Sequence, residues 1–330
     1  MYTNKKLRLA LIGAGAIAGS HLTAIQELDS LIGAAICDTN ADRAKALLAS
    51  HSMDMPVYTD YKEMIRSVRP DAVAINLPHF LHKEAAIFCA EQGCHMMLEK
   101  PMALNVEECN EIMGAADRYG VRLMIGHTQR YLPENRKARD IIQSGELGKL
   151  VMVNDVRLVS YFTDTRPQWF FHQHLAGGGI VMNLGSHSID KIQWLADSRV
   201  VKLKAALTHF GLKGDIEGSG HLWLALSNGA TATVSLGGYG GVNRNDTEFV
   251  FTQGMLRIEQ NRGLSISRNG VYEPVPIEDG THPFVLQYLD LLGSIHEDAP
   301  LAVTAEYSRD VIRIVQTVYE SHRSGRELEV

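Results

Sequence analysis

A two-domain α/β fold is predicted for this 330-residue chain: an N-terminal doubly wound parallel sheet, then an α/β domain with an open, mainly antiparallel sheet. Three observations predict it. Short apolar runs alternate with amphipathic stretches as far as residue 125, the pattern of parallel βαβ units with helices on both faces. A glycine turn, Gly13-Ala14-Gly15-Ala16-Ile17-Ala18, joins the first strand to the first helix. Beyond residue 196, strands follow one another without helices between them, which implies antiparallel pairing.

Leu7–Ile12 reads as the first strand and 16–28 as the helix opened by the glycines. Leu31–Cys37 is a strand, Ala41–Ser50 a helix, 60–68 a helix and 71–77 a buried strand. A helix at 81–92, a strand at His95–Leu98 and a helix at Val106–Tyr119 stopped by Gly120 lead to a strand at 122–125. The pattern then changes. Pro133–Ser144 is a helix ended by Gly145, 149–161 alternates as a strand, and Gly177-Gly178-Gly179 precedes a helix to Ala196. Strands are expected at 201–210, 220–226, 230–236, 247–252, 255–260 and 264–268, and helices at Pro283–Glu297 and 304–322. The boundary is set between 126 and 127, giving a nucleotide-binding domain 1–126 and a substrate-binding and oligomerisation domain 127–330. The C-terminal helix is a candidate to pack back on the first domain.

With 45% apolar and 21% charged residues, the chain has the composition of a globular protein with ample core material. Its net charge of −6 argues against a general nucleic-acid binder. No apolar run approaches the roughly 18 residues of a membrane span. The N-terminus runs into a strand whose apolar stretch is too short for a signal peptide, so a cytoplasmic protein with no membrane partner is expected. Cys37, Cys89, Cys94 and Cys109 lack metal spacing and read as reduced thiols.

The glycine pattern has a physical reason. Gly13 allows the tight turn, Gly15 lets the backbone approach a pyrophosphate, and Ala18 lets helix and strand pack closely. The helix start at Ala16 and Ile17 offers unpaired N–H groups to phosphate. Asp38 lies twenty residues past Ala18 at the end of the second strand, the spacing of an acid that bonds the ribose hydroxyls. Its charge repels a 2′-phosphate, which favours NAD over NADP; Arg43 nearby either weakens that preference or is a solvated helix residue.

The glycine turn and Glu99-Lys100-Pro101 together point to redox chemistry on a small molecule, and where a hydroxyl is oxidised a group must receive its proton. His187 suits this by type, with an unperturbed pKa of about 6.5. A structural histidine is its bland alternative. Lys100, in Glu99-Lys100-Pro101, can hydrogen-bond the reacting oxygen and steady alkoxide charge. Glu99 either orients Lys100 or pairs elsewhere. Asn183, His187 and Asp190 stand at i, i+4 and i+7, on one face of a helix. His172 and His174 form an His-x-His without a third ligand, so no metal is expected; they read as loop residues able to touch substrate. Arg130 and Tyr131 either meet substrate or brace the domain junction. The run Gly237-Gly238-Tyr239-Gly240-Gly241 reads as a strand-end turn, with Arg244 and Asn245 beyond it as candidate substrate contacts in a flexible loop.

These residues resemble the glucose–fructose oxidoreductase / inositol dehydrogenase / MocA family. The likeness includes Asn76-Leu77-Pro78 with His82, Arg130-Tyr131-Leu132-Pro133, Trp169 ahead of the glycine triplet, and Asn183-Leu184-Gly185-Ser186-His187-Ser188-Ile189-Asp190. It implies a Rossmann domain, NAD(P)-dependent oxidation or reduction of a sugar or polyol, and a homodimer or homotetramer joined through the second sheet. The family lysine and histidine map onto Lys100 and His187. Asn76, Pro78, His82 and Glu99 then belong with the cofactor, and Arg130, Tyr131, Trp169, His172 and Asn183 with the substrate. A cis peptide before Pro101 is also implied. Where the family often has Asp, this chain has Asn183, which orients only through neutral hydrogen bonds. Two other functions stay open on the same resemblance: an NAD-retaining glycosidase and a non-catalytic dinucleotide-binding regulator.

Overall fold

The computed structural model describes residues 6–211, 213–259, 262–278 and 280–330. The stretch ahead of the first strand, residues 1–5, and Gln260, the last residue of the strand expected at 255–260, lie outside the described residues. The chain forms two compact units. Described residues up to Thr128 join Thr281–Arg309, and Gln129–Gly280 joins Asp310–Val330. A single cut between 126 and 127 therefore describes only the first crossing of the chain. The later helix Pro283–Glu297 joins the first unit because it buries Phe284 and Tyr288 there, against His21.

In the first unit β1 (Leu7–Ile12), α1 (Ala18–Glu27), β2 (Leu31–Cys37), α2 (Ala41–Ser50), β3 (Val57–Tyr58) and α3 (Tyr61–Val68) come first. They are followed by β4 (Ala72–Ile75), α4 (His82–Glu91), β5 (His95–Leu98), α5 (Val106–Tyr119) and β6 (Leu123–Ile125). The strands pair in parallel in the order β3-β2-β1-β4-β5-β6, so the order reverses between β1 and β4. β1, β4, β5 and β6 are buried almost throughout, as a sheet covered on both faces requires. The two-residue β3 is too short to show a period of its own; its pairing with Ile36 and Cys37 creates it. Side chains start the helices: Asp60 accepts the Lys62 amide and Asn105 the Glu108 amide, at 2.7 and 2.8 Å.

The second unit begins with α6 (Pro133–Ser144), β7 (Leu150–Leu158), the short α7 (Gln173–Ala176) and α8 (Ser186–Leu195). Then come β8 (Val200–Thr208), β9 (Ser219–Leu226), β10 (Thr231–Gly237), β11 (Arg244–Phe251), β12 (Gly254–Glu259), β13 (Gly263–Ser267) and β14 (Glu273–Val275). After α9 (Pro283–Glu297), α10 (Ala305–Ser324) and β15 (Leu328–Glu329) end the chain. Among the described residues the sheet has nine strands in the order β14-β13-β12-β11-β7-β10-β9-β8-β15. Every pairing is antiparallel except β7 with β10. Two expectations are corrected here. Arg244 and Asn245 are not in a flexible loop: they open β11, where they pair with Leu158 and Arg157 of β7. The stretch before α8 is not continuous α-helix: Val181–Gly185 winds as a π-helical turn. Its i→i+5 winding offsets Asn183 from the face that an unbroken α-helix would share with His187 and Asp190.

The inner face of the second sheet carries Leu222, Leu224, Val234, Leu236, Phe249 and Phe251, all buried. β7 breaks this pattern by turning Asp155 and Arg157 inward. Asp155 is satisfied there by Lys191 Nζ at 3.0 Å and by the hydroxyls of Ser188 and Thr247, each at 2.5 Å. Burial pushes its carboxyl up, but Lys191 and Arg157, then the two hydroxyls, outweigh that and hold it below the ordinary range. Asp155→Ala should cost about 3–5 kcal/mol in urea unfolding, because Lys191 and Arg157 are then left buried without their counter-ion. Since the folded-state value is depressed, the carboxylate's contribution is full above about pH 4 and is lost as pH falls through the lower folded-state value. Unfolding measured across that range should show a smaller loss in Asp155→Ala than in the unmodified protein, the remainder coming from other depressed carboxylates such as Asp38.

Candidate active site

Parallel register sets the first half of the site. Ile12 pairs with Cys37 on one side and with Ile75 on the other, and Ile75 pairs with Leu98. The next residue along each strand is Gly13, Asp38, Asn76 and Glu99, so all four emerge on the carboxyl edge of the sheet, beside the reversal of strand order. Ligands of doubly wound sheets bind at that edge.

Gly13 adopts φ +97°, and a Cβ there would come within 2.6 Å of the Asn76 carbonyl oxygen, so only glycine fits. Gly15, Ala16 and Ile17 are exposed, and nothing lies within 4 Å of where a Gly15 Cβ would be. α1 begins at Ala18, two residues later than the sequence suggests. Asp38 is 6% exposed, and its Oδ2 accepts the Ala14 amide at 2.8 Å while Oδ1 accepts the Asn40 amide at 2.8 Å. Arg43 donates to both oxygens, Nε at 3.1 Å and Nη2 at 2.5 Å. Burial pushes the Asp38 carboxyl up, but Arg43 and the two amides more than offset this and keep it ionised. Neither side-chain atom of Asn76 has a hydrogen-bond partner, although both are buried. An open glycine edge, an anchored acid and an unsatisfied amide on one sheet edge fit a dinucleotide.

Lys100 is half-buried and precedes Pro101 in a cis peptide. His82, fully buried in the first turn of α4, lies with Nδ1 2.9 Å from the Pro101 carbonyl and Nε2 2.9 Å from the Leu77 carbonyl. It therefore braces the loops after β4 and β5. Burial drives its imidazolium pKa down, and the carbonyls of Leu77 and Pro101 only partly offset this. His82 and Pro78 thus frame the loops behind the edge.

The second unit holds the remaining candidates. His187 is half-buried in the first turn of α8, while Asn183, 8% exposed, lies in the π-helical turn and donates Nδ2–H to the Tyr161 hydroxyl at 3.3 Å. Glu217 anchors the start of this turn: its carboxylate accepts the Gly179 and Val181 amides at 2.8 and 2.9 Å and the Tyr319 hydroxyl at 2.9 Å. Gly179 has no room for a side chain, since a Cβ would overlap the Glu217 carbonyl. Arg130 is buried, with Nε and Nη2 each 3.0 Å from Asp190 Oδ1. This ion pair joins two residues of the second unit. Tyr131 is buried, Trp169 is half-buried and stacked on Phe170, and His172 and His174 are exposed. Among the described residues no group of three or more His, Cys, Asp or Glu is arranged to hold a metal ion, and no helix is long and apolar enough to cross a membrane.

Sequence reasoning missed His21, Tyr161, Glu217 and Tyr288. His21 left one trace, a polar residue on the buried face of α1 beside Ala18, Leu22 and Ile25. The others left none, because their partners lie 22 to 267 residues away.

The model of the oxidoreductase family with an NAD-binding Rossmann fold matches residues 7–127, and that of the GFO/IDH/MocA C-terminal domain matches residues 135–257. The chain belongs to the GFO/IDH/MocA oxidoreductase family. Among its relatives, the rhizopine catabolism protein MocA of Rhizobium meliloti is 29% identical over 235 residues, 70% of this chain and 71% of that protein. An inositol 2-dehydrogenase of Corynebacterium glutamicum is 28% identical over 300 residues, 86% of this chain and 83% of that protein. In fold the chain is similar to an aldose-aldose oxidoreductase from Caulobacter crescentus solved with glycerol (TM-score 0.89, 23% identity), over 99% of this chain and 100% of that one.

The two glycines of the turn should respond differently to alanine. Gly13→Ala should lower stability by about 1–2 kcal/mol from its left-handed backbone alone, before the overlap with Asn76 is counted. Gly15→Ala should leave unfolding within about 0.5 kcal/mol of the unmodified protein, as an unobstructed surface change does. It should nonetheless weaken NAD binding, because its methyl occupies the space the backbone leaves for the pyrophosphate. Urea unfolding and NADH-fluorescence titration read the two effects separately.

Proposed function

We propose that this chain is an NAD-dependent dehydrogenase acting on a secondary hydroxyl of a sugar or polyol. The observation that carries the reading is the gathering of Gly13, Asp38, Asn76 and Glu99-Lys100 on one edge of a parallel sheet, in a chain of an oxidoreductase family. The relative named inositol 2-dehydrogenase supports a polyol as the substrate class. Bound NAD supplies the hydride acceptor. Asp38 receives the adenosine ribose hydroxyls, and Asn76 spends its unsatisfied amide on the same ligand. Lys100 donates a hydrogen bond to the reacting oxygen and steadies the negative charge that grows there. His187 takes the hydroxyl proton. Asn183, held by Tyr161, offers a neutral hydrogen-bonding group to the substrate, and Trp169 and His172 add further substrate contacts.

A panel of inositols, aldoses and sugar acids, assayed with NAD and NADP for NADH or NADPH formation, tests the class; no reduction of either cofactor with any member would refute it. On the substrate so found, Lys100→Ala should lower kcat by about 10²–10³-fold while NAD binding holds, because the lost interaction belongs to the transition state. Undiminished turnover would remove Lys100 from the chemistry. His187→Ala should in addition abolish the rise of kcat/KM with pH that a single basic group imposes on alcohol oxidation.

The cofactor preference should rest on Asp38. In Asp38→Ser the repelling carboxylate is gone and Arg43, until then paired with it, is released toward a 2′-phosphate. NADP affinity should rise by about tenfold, the worth of one charge-assisted hydrogen bond. Titration of the unmodified protein giving equal or tighter NADP binding would overturn the NAD assignment.

A further inference from the structure

Hydride transfer as proposed uses Lys100 and leaves its neighbour Glu99 without a task. Glu99 follows directly on β5 and is 8% exposed. Its Oε2 accepts the Lys100 amide at 3.3 Å, and its Oε1 lies 3.4 Å from Nε2 of His21. His21 belongs to α1, the helix opened by the glycine turn, and is fully buried. Its Nδ1 shares a 2.7 Å hydrogen bond with the Tyr288 hydroxyl of α9, and Phe284 meets the ring edge-on at 4.9 Å. On another side Gly126 leaves room for the carboxylate, since a Cβ there would approach Glu99 Oε1 to 3.0 Å. Two distant segments, at His21 and at Gly126, therefore approach one carboxylate, and α9 packs on the first of them.

A buried carboxylate must be compensated. Burial, and then the charge of Glu99, pushes the Tyr288 hydroxyl well above its ordinary pKa, so it stays protonated and can donate to Nδ1. Nε2, across the ring, then lies 3.4 Å from Glu99 Oε1 as its close polar neighbour, and neither of these two buried atoms makes a hydrogen bond elsewhere.

We infer that His21 is a positioning residue for Lys100: acting through Glu99, it ties the helix that carries the dinucleotide turn to the residue that carries the reactive ammonium. This rests on the dehydrogenase reading for the importance of Lys100 and adds what holds that lysine in order. Without the imidazole, Glu99 keeps one main-chain donor at 3.3 Å, and the nearest cation along the chain is the ammonium of Lys100 itself. The carboxylate then draws that ammonium to itself and holds it charged, away from its task.

The test needs no substrate. Trace acylation of the unliganded full chain with acetic anhydride, read by mass spectrometry, gives the rate at Lys100 relative to exposed Lys45 and Lys204. Only the neutral amine reacts, so His21→Phe should slow Lys100 by about threefold or more, the effect of half a pKa unit. Adding Glu99→Gln to His21→Phe removes the capturing charge and should restore the rate. A general loosening of the core would expose Lys100 and would not be reversed by that second change. Tyr288→Phe deletes one hydroxyl only, and should shift Lys100 in the same direction by a smaller factor; it carries the test if His21→Phe does not fold. Labelling of Lys100 at the unmodified rate in the folded variant, or slowing that Glu99→Gln leaves in place, overturns the inference. No cofactor reduction across the substrate panel would refute the dehydrogenase reading and leave the labelling result standing, so the two failures are distinct.

Discussion

The chemistry of the first unit depends on parallel strands ending level. Ile12, Cys37, Ile75 and Leu98 are paired across adjacent strands, and the residue after each, Gly13, Asp38, Asn76 and Glu99, stands at the carboxyl edge of the sheet. A slip of one residue would turn the side chains of a strand to the opposite face. With both faces buried under helices, such a slip has nowhere to put Arg8 or His95, the polar residues at the far ends of these strands. Main-chain bonds continue the register past the strands: Gly13 N–H donates to Cys37, Asn76 N–H to Ile12 and Glu99 N–H to Ile75, at 2.7, 2.8 and 3.1 Å. The site is thus an extension of the sheet's own hydrogen bonding, and Asp38 closes it by accepting the Ala14 amide.

In the second unit charge does what register does in the first. Asp155 and Arg157 project from β7 into a face of leucine, valine and phenylalanine. Well-packed apolar residues could hold helix to sheet as strongly as these ions. What the ions add is a position, since Asp155 is satisfied only where Ser188 and Lys191 meet it. That locates α8, and with it His187. Glu217 locates the turn just before α8 through two amides, and Tyr161 holds Asn183 within it. The π-helical turn is the geometry left between these anchors.

Much of this was legible along the chain because short-range rules produced it. The glycine turn, Asp38 and the strand–helix alternation each need fewer than forty residues to be recognised. Arg244 and Asn245 were misplaced because a glycine run precedes them, yet pairing with β7, far back in the sequence, draws them into a strand. The π-helical winding was invisible for a different reason: apolar spacing over five residues is the same for either winding, and the choice lies with Glu217 and Tyr161. Arg130 and Asp190 stand sixty residues apart, and nothing in either suggests the other.

By itself, then, the sequence determined the two sheet types and the glycine turn and offered the candidate side chains for the chemistry, because periodicity, turn residues and donor inventory are local properties. The tertiary structure alone decided that Thr281–Arg309 joins the first unit, that Glu99 meets His21 and Tyr288, and that Asp155 lies among cations. Those outcomes come from burying polar groups: each must find a partner wherever the fold brings one, and spacing along the chain does not encode which partner that is.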